Sequence, residues 1–186
     1  MGLVEVVVAA GIMLLVTFAA SGMLSAGLAY QSSQLGQADV QRAITNALSP
    51  LCDELSEADP ACVAVSSSPS GVVFASPRDG LGRFSYDSGG ALLWRGYVCY
   101  YLDTVGDVPV LVRKWTPLTV SVNDPPAVPA SMTCAWFKGQ PLPRRVFGGR
   151  ALGFGVSGLN PLQLTLTMGS SGGHSMTVAT QVCLRN

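Results

Sequence analysis

Residues 6–30 read VVVAAGIMLLVTFAASGMLSAGLAY, a run without one charged side chain. At about 1.5 Å per residue, a helix of this length reaches across the roughly 30 Å hydrocarbon core of a bilayer. The segment belongs in a membrane or in an apolar bundle. A cleavable secretory signal would need a basic start and a shorter apolar stretch, and nothing basic precedes Val6. The helical pattern continues through QSSQLGQADVQRAITNALS, with Val40, Ile44, Leu48, Leu51 and Leu55 spaced by four, four, three and four. This predicts one helix over residues 1–48, roughly 70 Å long, apolar all round over 1–30 and amphipathic over 31–48. The remainder, 49–186, is the expected head. Ser49-Pro50 has the form of an N-cap followed by proline at the first helical position, with Asp53 and Glu54 in the next turn. A bend or a new short helix is expected there.

Composition narrows the function classes. The 186 residues are 12% charged and 48% hydrophobic, with eleven basic residues, eleven acidic ones and a single histidine. No overall field favours phosphate backbones, and little material is present for metal or acid/base chemistry, so assembly or binding is favoured over catalysis. The charges are nonetheless segregated. Residues 39–79 hold six acids against Arg42 and Arg78, a net of −4, and residues 80–186 hold nine basic residues against four acids, a net of +5. Such polarity suits head-to-tail contact between copies, and an ordinary solvated surface explains it equally well.

Glu5 is the one charge before Asp39. An ionised carboxylate at membrane depth costs on the order of 3 kcal/mol unless paired. No basic residue of its own helix is near, so the closest cation is a free α-amino group. In a bundle of staggered identical helices, the amine of one copy can reach the glutamate of the next. The alternative is Glu5 at the membrane interface, solvated by headgroups.

From residue 63 onward the pattern turns to short runs rich in Val, Leu, Thr and aromatics: VAVSSS, GVVFAS, GRFSYD, ALLWRGYVCYYLD, VPVLVRKW, LTVSV, MTCAWF, LQLTLTM and SMTVATQVCLRN. Turn residues separate them. Residues 162–168 with 175–184 read as one hairpin, and 83–86 with 92–95 as another. A long helix whose lower half carries an apolar stripe, laid across an antiparallel sheet, makes an α+β fold.

Cys52, Cys62, Cys99, Cys134 and Cys183 contain no C-x-x-C pair, so zinc is not expected and an oxidising compartment fits better. The expected pairings are Cys52 with Cys62 across the turn after the helix, and two of the remaining three with each other, Cys99 with Cys134 being preferred. The leftover thiol is expected to be a small buried hydrophobe. No catalytic, cofactor or metal site is expected. Gly153-Phe-Gly155-Val-Ser-Gly158 matches G-x-G-x-x-G formally, but a proline and strands follow it and no later acid remains for a ribose. His174 reads as a solvated turn residue, Arg144-Arg145 as solvated loop charges. Of Trp94, Tyr97, Tyr100 and Tyr101, strand alternation would bury half and leave the rest for an adhesive surface.

Met1-Gly-Leu-Val-Glu5-Val-Val-Val-Ala-Ala10 resembles the start of a type IV pilin or a type II secretion pseudopilin, and residues 177–186, TVATQVCLRN, resemble the closing strand of minor pilins and of J- or W-type pseudopilins. The resemblance implies that the chain as it stands is the processed form, with Met1 N-methylated and Glu5 pairing with a neighbour's N-terminus. It also implies a structural subunit held in the bacterial inner membrane before assembly and packed in the core of a cell-surface filament afterwards. The implied partners are copies of itself or other pilins, an inner-membrane assembly platform and a prepilin peptidase. Where major pilins commonly have a proline near position 22 this chain has Gly22, and Gly11 and Gly27 are its other points of helix flexibility. The alternative is a single-pass anchored envelope protein whose β head binds a ligand or partner without forming filaments.

Overall fold

A computed structural model of the chain describes residues 2–185. A single long helix, α1 (Leu3–Ser56), is followed by β1 (Val63–Ser67), β2 (Ser70–Ser76), β3 (Trp94–Val105), β4 (Val108–Val122), a short helix α2 (Cys134–Gly139), β5 (Arg144–Phe147), β6 (Arg150–Ser157), β7 (Leu162–Gly169) and β8 (Ser175–Val182). The strands form two antiparallel sheets, β1-β2-β3-β4-β5 and β6-β7-β8. The fold is α+β, as expected, with the sheet divided in two.

The helix does not end and restart at Ser49-Pro50. It runs on to Ser56, 54 residues and roughly 80 Å. Pro50 lacks the N–H that would reach the Asn46 carbonyl, and a proline inside a helix costs about 3 kcal/mol. Asn46 is exposed, so water can take the orphaned acceptor. The buried stripe Val40, Ile44, Ala47, Leu48, Leu51 and Leu55 continues on both sides of the proline. At about 1.5–3 kcal/mol per buried leucine, Leu51 and Leu55, both fully buried, outweigh the break.

This stripe shares one core with both sheets: Val72, Phe74, Val98, Tyr100 and Leu111 from the first, and Leu162, Leu164, Leu166 and Met168 from the second. Strand β7 shows the alternation of a one-sided sheet, its leucines buried and Gln163 and Thr165 exposed. A second core lies on the far face of the five-stranded sheet, where Val73, Tyr97, Cys99, Tyr101 and Val112 meet α2 through Cys134 and Phe137. Between β3 and β4, Gly106 takes a φ of 61°, as a two-residue hairpin turn requires.

Two expected strands are absent. In place of the strand expected at 132–137 the chain forms α2 over Cys134–Gly139, because the Thr133 hydroxyl accepts the Trp136 N–H and caps a helix there. The 83–86 and 92–95 pair is reduced to the isolated bridges Arg78↔Phe84 and Tyr86↔Leu92, and Trp94 and Arg95 belong to β3. Aspartates organise this stretch: Asp79 Oδ1 accepts the Leu81 and Arg83 N–H groups, and Asp87 Oδ1 accepts those of Gly89 and Ala91.

The backbone N–H bonds, those of Arg83 and Ala91 foremost, hold both carboxyls below the ordinary aspartate value of 3.8. A carboxyl whose folded pKa lies below its unfolded one stabilises the fold above the unfolded value, and that contribution is lost as pH falls through the folded value. Thermal melting followed against pH should therefore show the head losing stability below 3.8. The Asp79→Asn, Asp87→Asn double variant should show a flatter fall.

Candidate functional site

The upper half of α1 has no partner. Every residue from Gly2 to Ser32 is exposed, with Leu3 85%, Phe18 80% and Met23 78% accessible. Soluble monomers rarely expose a contiguous apolar surface of more than a few hundred Å², so this surface is built to be covered. The helix is long and apolar enough to cross a membrane once. It passes unbroken through Gly11, Gly22 and Gly27, where an added Cβ would meet nothing within 4 Å. Its hydroxyls turn inward: Thr17 donates to the Met13 carbonyl at 2.8 Å, Ser21 to Thr17 at 2.8 Å and Ser25 to Gly22 at 2.9 Å. Polar groups satisfied within the helix in this way are tolerated in hydrocarbon.

Glu5 stands in the first turn. Its Oε2 accepts the Gly2 N–H at 3.1 Å, so the carboxylate covers one of the helix's orphan donors and complements the positive end of the dipole. Met1, the other member of the expected pairing, lies outside the described residues.

Beneath the apolar half, polar contacts that the sequence alone did not reveal tie α1 to the head. Arg113 Nε donates to both carboxylate oxygens of Glu54, at 3.0 and 3.1 Å, with both side chains only 10% exposed. Lys114, on the other face of the same strand, is 6% exposed and gives its three donors to the carbonyls of Phe137, Lys138 and Gln140 at the end of α2. Glu57 is bound by Arg78, which also lies 4.5 Å from the Phe84 ring centre. The last described residue is tied down as well, the Arg185 N–H donating to the Ala58 carbonyl at 3.0 Å. A glutamate within an apolar stripe, three residues after Leu51, was the one available signal for the Glu54 anchor. Its partner, 59 positions away, had none.

The cysteine expectations are corrected in part. Cys52 and Cys62 are free thiols on opposite sides of the five-stranded sheet, Cys52 against the core under α1 and Cys62 within the core under α2, so the sheet stands between them. Burial, then Asp59, push the Cys62 thiol up to about 11. Cys99 and Cys134 do come together, as thiols, Cys99 donating to Cys134 at 3.4 Å. Cys183, the leftover, is exposed rather than buried. Trp94, Tyr97, Tyr100 and Tyr101 are all buried, because β3 is central and both its faces are covered, so they form no adhesive surface. His174 is no solvated turn residue: it is half-buried, and a Cβ on Gly36 would come within 2.7 Å of its Cδ2, so the β7–β8 turn rests its ring on the helix at that glycine. Gly153 and Gly155 lie inside β6 rather than in a turn before a helix. Arg144 and Arg145 belong to the edge strand β5. Among the described residues, no group of three or more His, Cys, Asp or Glu side chains is placed to hold a metal ion.

No protein-family model, curated protein or solved structure matches the chain.

Removing one member of a buried pair leaves the other charge uncompensated, which costs about 3–5 kcal/mol, whereas apolar replacement of both is nearly neutral. Glu54→Ala should thus destabilise the head by about 3 kcal/mol in denaturant unfolding, and the Glu54→Leu, Arg113→Met double variant should recover most of that loss.

Proposed function

We propose that this chain is a structural subunit of a type IV pilus-like filament, anchored in the bacterial inner membrane through residues 6–30 before assembly and packed through the same helix in the filament core afterwards. The observation that carries the reading is the fully exposed apolar half of α1, with the Glu5 carboxylate in its first turn and its other end rooted in a folded head. Moving about 1,500 Å² of apolar surface out of water contributes on the order of 35 kcal/mol per subunit at about 25 cal/mol per Å². Relative to lipid that gain nearly vanishes. Moving subunits from membrane to filament therefore calls for an energy-driven machine and for specific helix contacts, of which Glu5 with a neighbour's Met1 amine is the leading one. The reading also puts the head in an oxidising space, where Cys99 and Cys134 would join. Closing that loop of 35 residues would contribute about 4 kcal/mol on the chain-entropy account.

A second reading rests on the Gly2–Glu5 bond. Glu5 caps its own helix, which is all that a single-pass envelope anchor with a partner-binding head would require of it. Glu5→Ala separates the two. For a filament subunit, the variant should reach the membrane fraction at the normal level and be missing from sheared filaments. Normal incorporation would contradict the filament role of Glu5.

A further inference from the structure

Strands β4 and β5 place like charges side by side. Arg113 stands directly opposite Arg145, and Lys114 directly opposite Arg144. Like charges at opposed positions of neighbouring strands destabilise a sheet, so four cations in two consecutive rungs call for compensation. Lys114 has its three carbonyls and Arg113 has Glu54. No acidic partner stands within ion-pair distance of Arg144 or Arg145 among the described residues. The Arg145 guanidinium lies 5.1 Å from the Phe147 ring centre, which holds the side chain over the sheet edge without neutralising it.

Arg113 and Arg145 line a cleft of about 460 Å³ between the end of α1 and the edge of the sheet. Arg113 and Arg145 share the face that lines it, against Glu54, together with Trp115 and Leu81, whereas Arg144, opposite Lys114, belongs to the other face, where Asp103 feels its charge. Arg113 is only 9% exposed, and Nε alone engages Glu54. The hydroxyl of Tyr100, fully buried, is the guanidinium's other neighbour. Where Arg113 lines the cleft it offers the planar guanidinium that suits carboxylate and phosphate. Uncompensated cations on a rigid sheet are the kind of local conflict that a fold retains at a site of function.

We propose that this cleft is an anion-binding site that takes the phosphate or carboxylate group of a small ligand. The oxyanion sits beside the opposed Arg113 and Arg145 guanidinium groups, and the apolar body of the ligand lies against Trp115 and Leu81. The site lies at the opposite end of the packed half of α1 from the membrane segment, and it does not depend on filament formation.

The test is isothermal titration of the full chain in neutral detergent micelles with inorganic phosphate and, separately, citrate, at an ionic strength held constant with sodium chloride. The expected result is saturable one-site binding of at least one of them, the tighter of the two indicating which oxyanion the site prefers. Arg145→Gln, an exposed edge-strand change, should weaken that binding about tenfold or more while leaving the melting temperature near that of the parent. Arg42→Gln, on the exposed face of α1, should leave binding unchanged. Heats no larger than those of chloride for both oxyanions, or equal weakening by the two variants, would overturn the proposal.

Discussion

The stripe from Val40 to Leu55 holds in place a helix whose first half rests on nothing. Residues 2–32 are exposed throughout, so they draw no stability from the head, and the orientation of the whole 54-residue rod is set by its last five turns. Those turns are buried against residues from both sheets, and the bonded Glu54–Arg113 pair fixes their rotation about the helix axis. A slip of one residue along the stripe would swing Glu54 out of reach of Arg113 and drive exposed polar residues into the core. The apolar rod is thereby presented at one defined angle to the head.

The five-stranded sheet bears load on both faces. One face is closed by α1 and the second sheet, the other by α2 and the loops around it, and β3 in the middle is buried on both sides. This arrangement allows charged residues inside the head. Arg113 and Lys114 are successive residues of β4 pointing to opposite faces, and each finds acceptors supplied by a helix: a side-chain carboxylate from α1, and backbone carbonyls from the end of α2. Arg144 and Arg145 lie exposed at the sheet edge, where solvent or a ligand can reach them.

The broad plan was legible in the sequence because it rests on periodicity. The charge-free run, the stripe spaced by three and four, and the alternation of Leu162, Leu164, Leu166 and Met168 each declare a solvent side and a buried side. What was missed depended on distant partners. Pro50 signals a helix break locally, and only the leucines packed on both sides of it override that signal. Cys52 and Cys62 are close in sequence and divided by a sheet. Alternation in β3 suggests a wet face, but the loop carrying α2 covers it. The ring of His174 and the hydrogen at Gly36 fit together across more than a hundred residues, with no mark in either segment. Glu5, Gly11, Gly22 and Gly27 lie within α1, and the contacts proposed for that half belong to an assembly and not to a single chain.

The filament reading turns on the chemistry of the first residue. Intact-mass measurement of the native protein with N-terminal fragmentation, run with and without reduction, reads that chemistry directly and counts disulfides in the same experiment. The account predicts a methyl group on the Met1 amine and one reducible bond, between Cys99 and Cys134. A formylated or unmodified Met1 would contradict the filament reading and leave the single-pass anchored protein in its place.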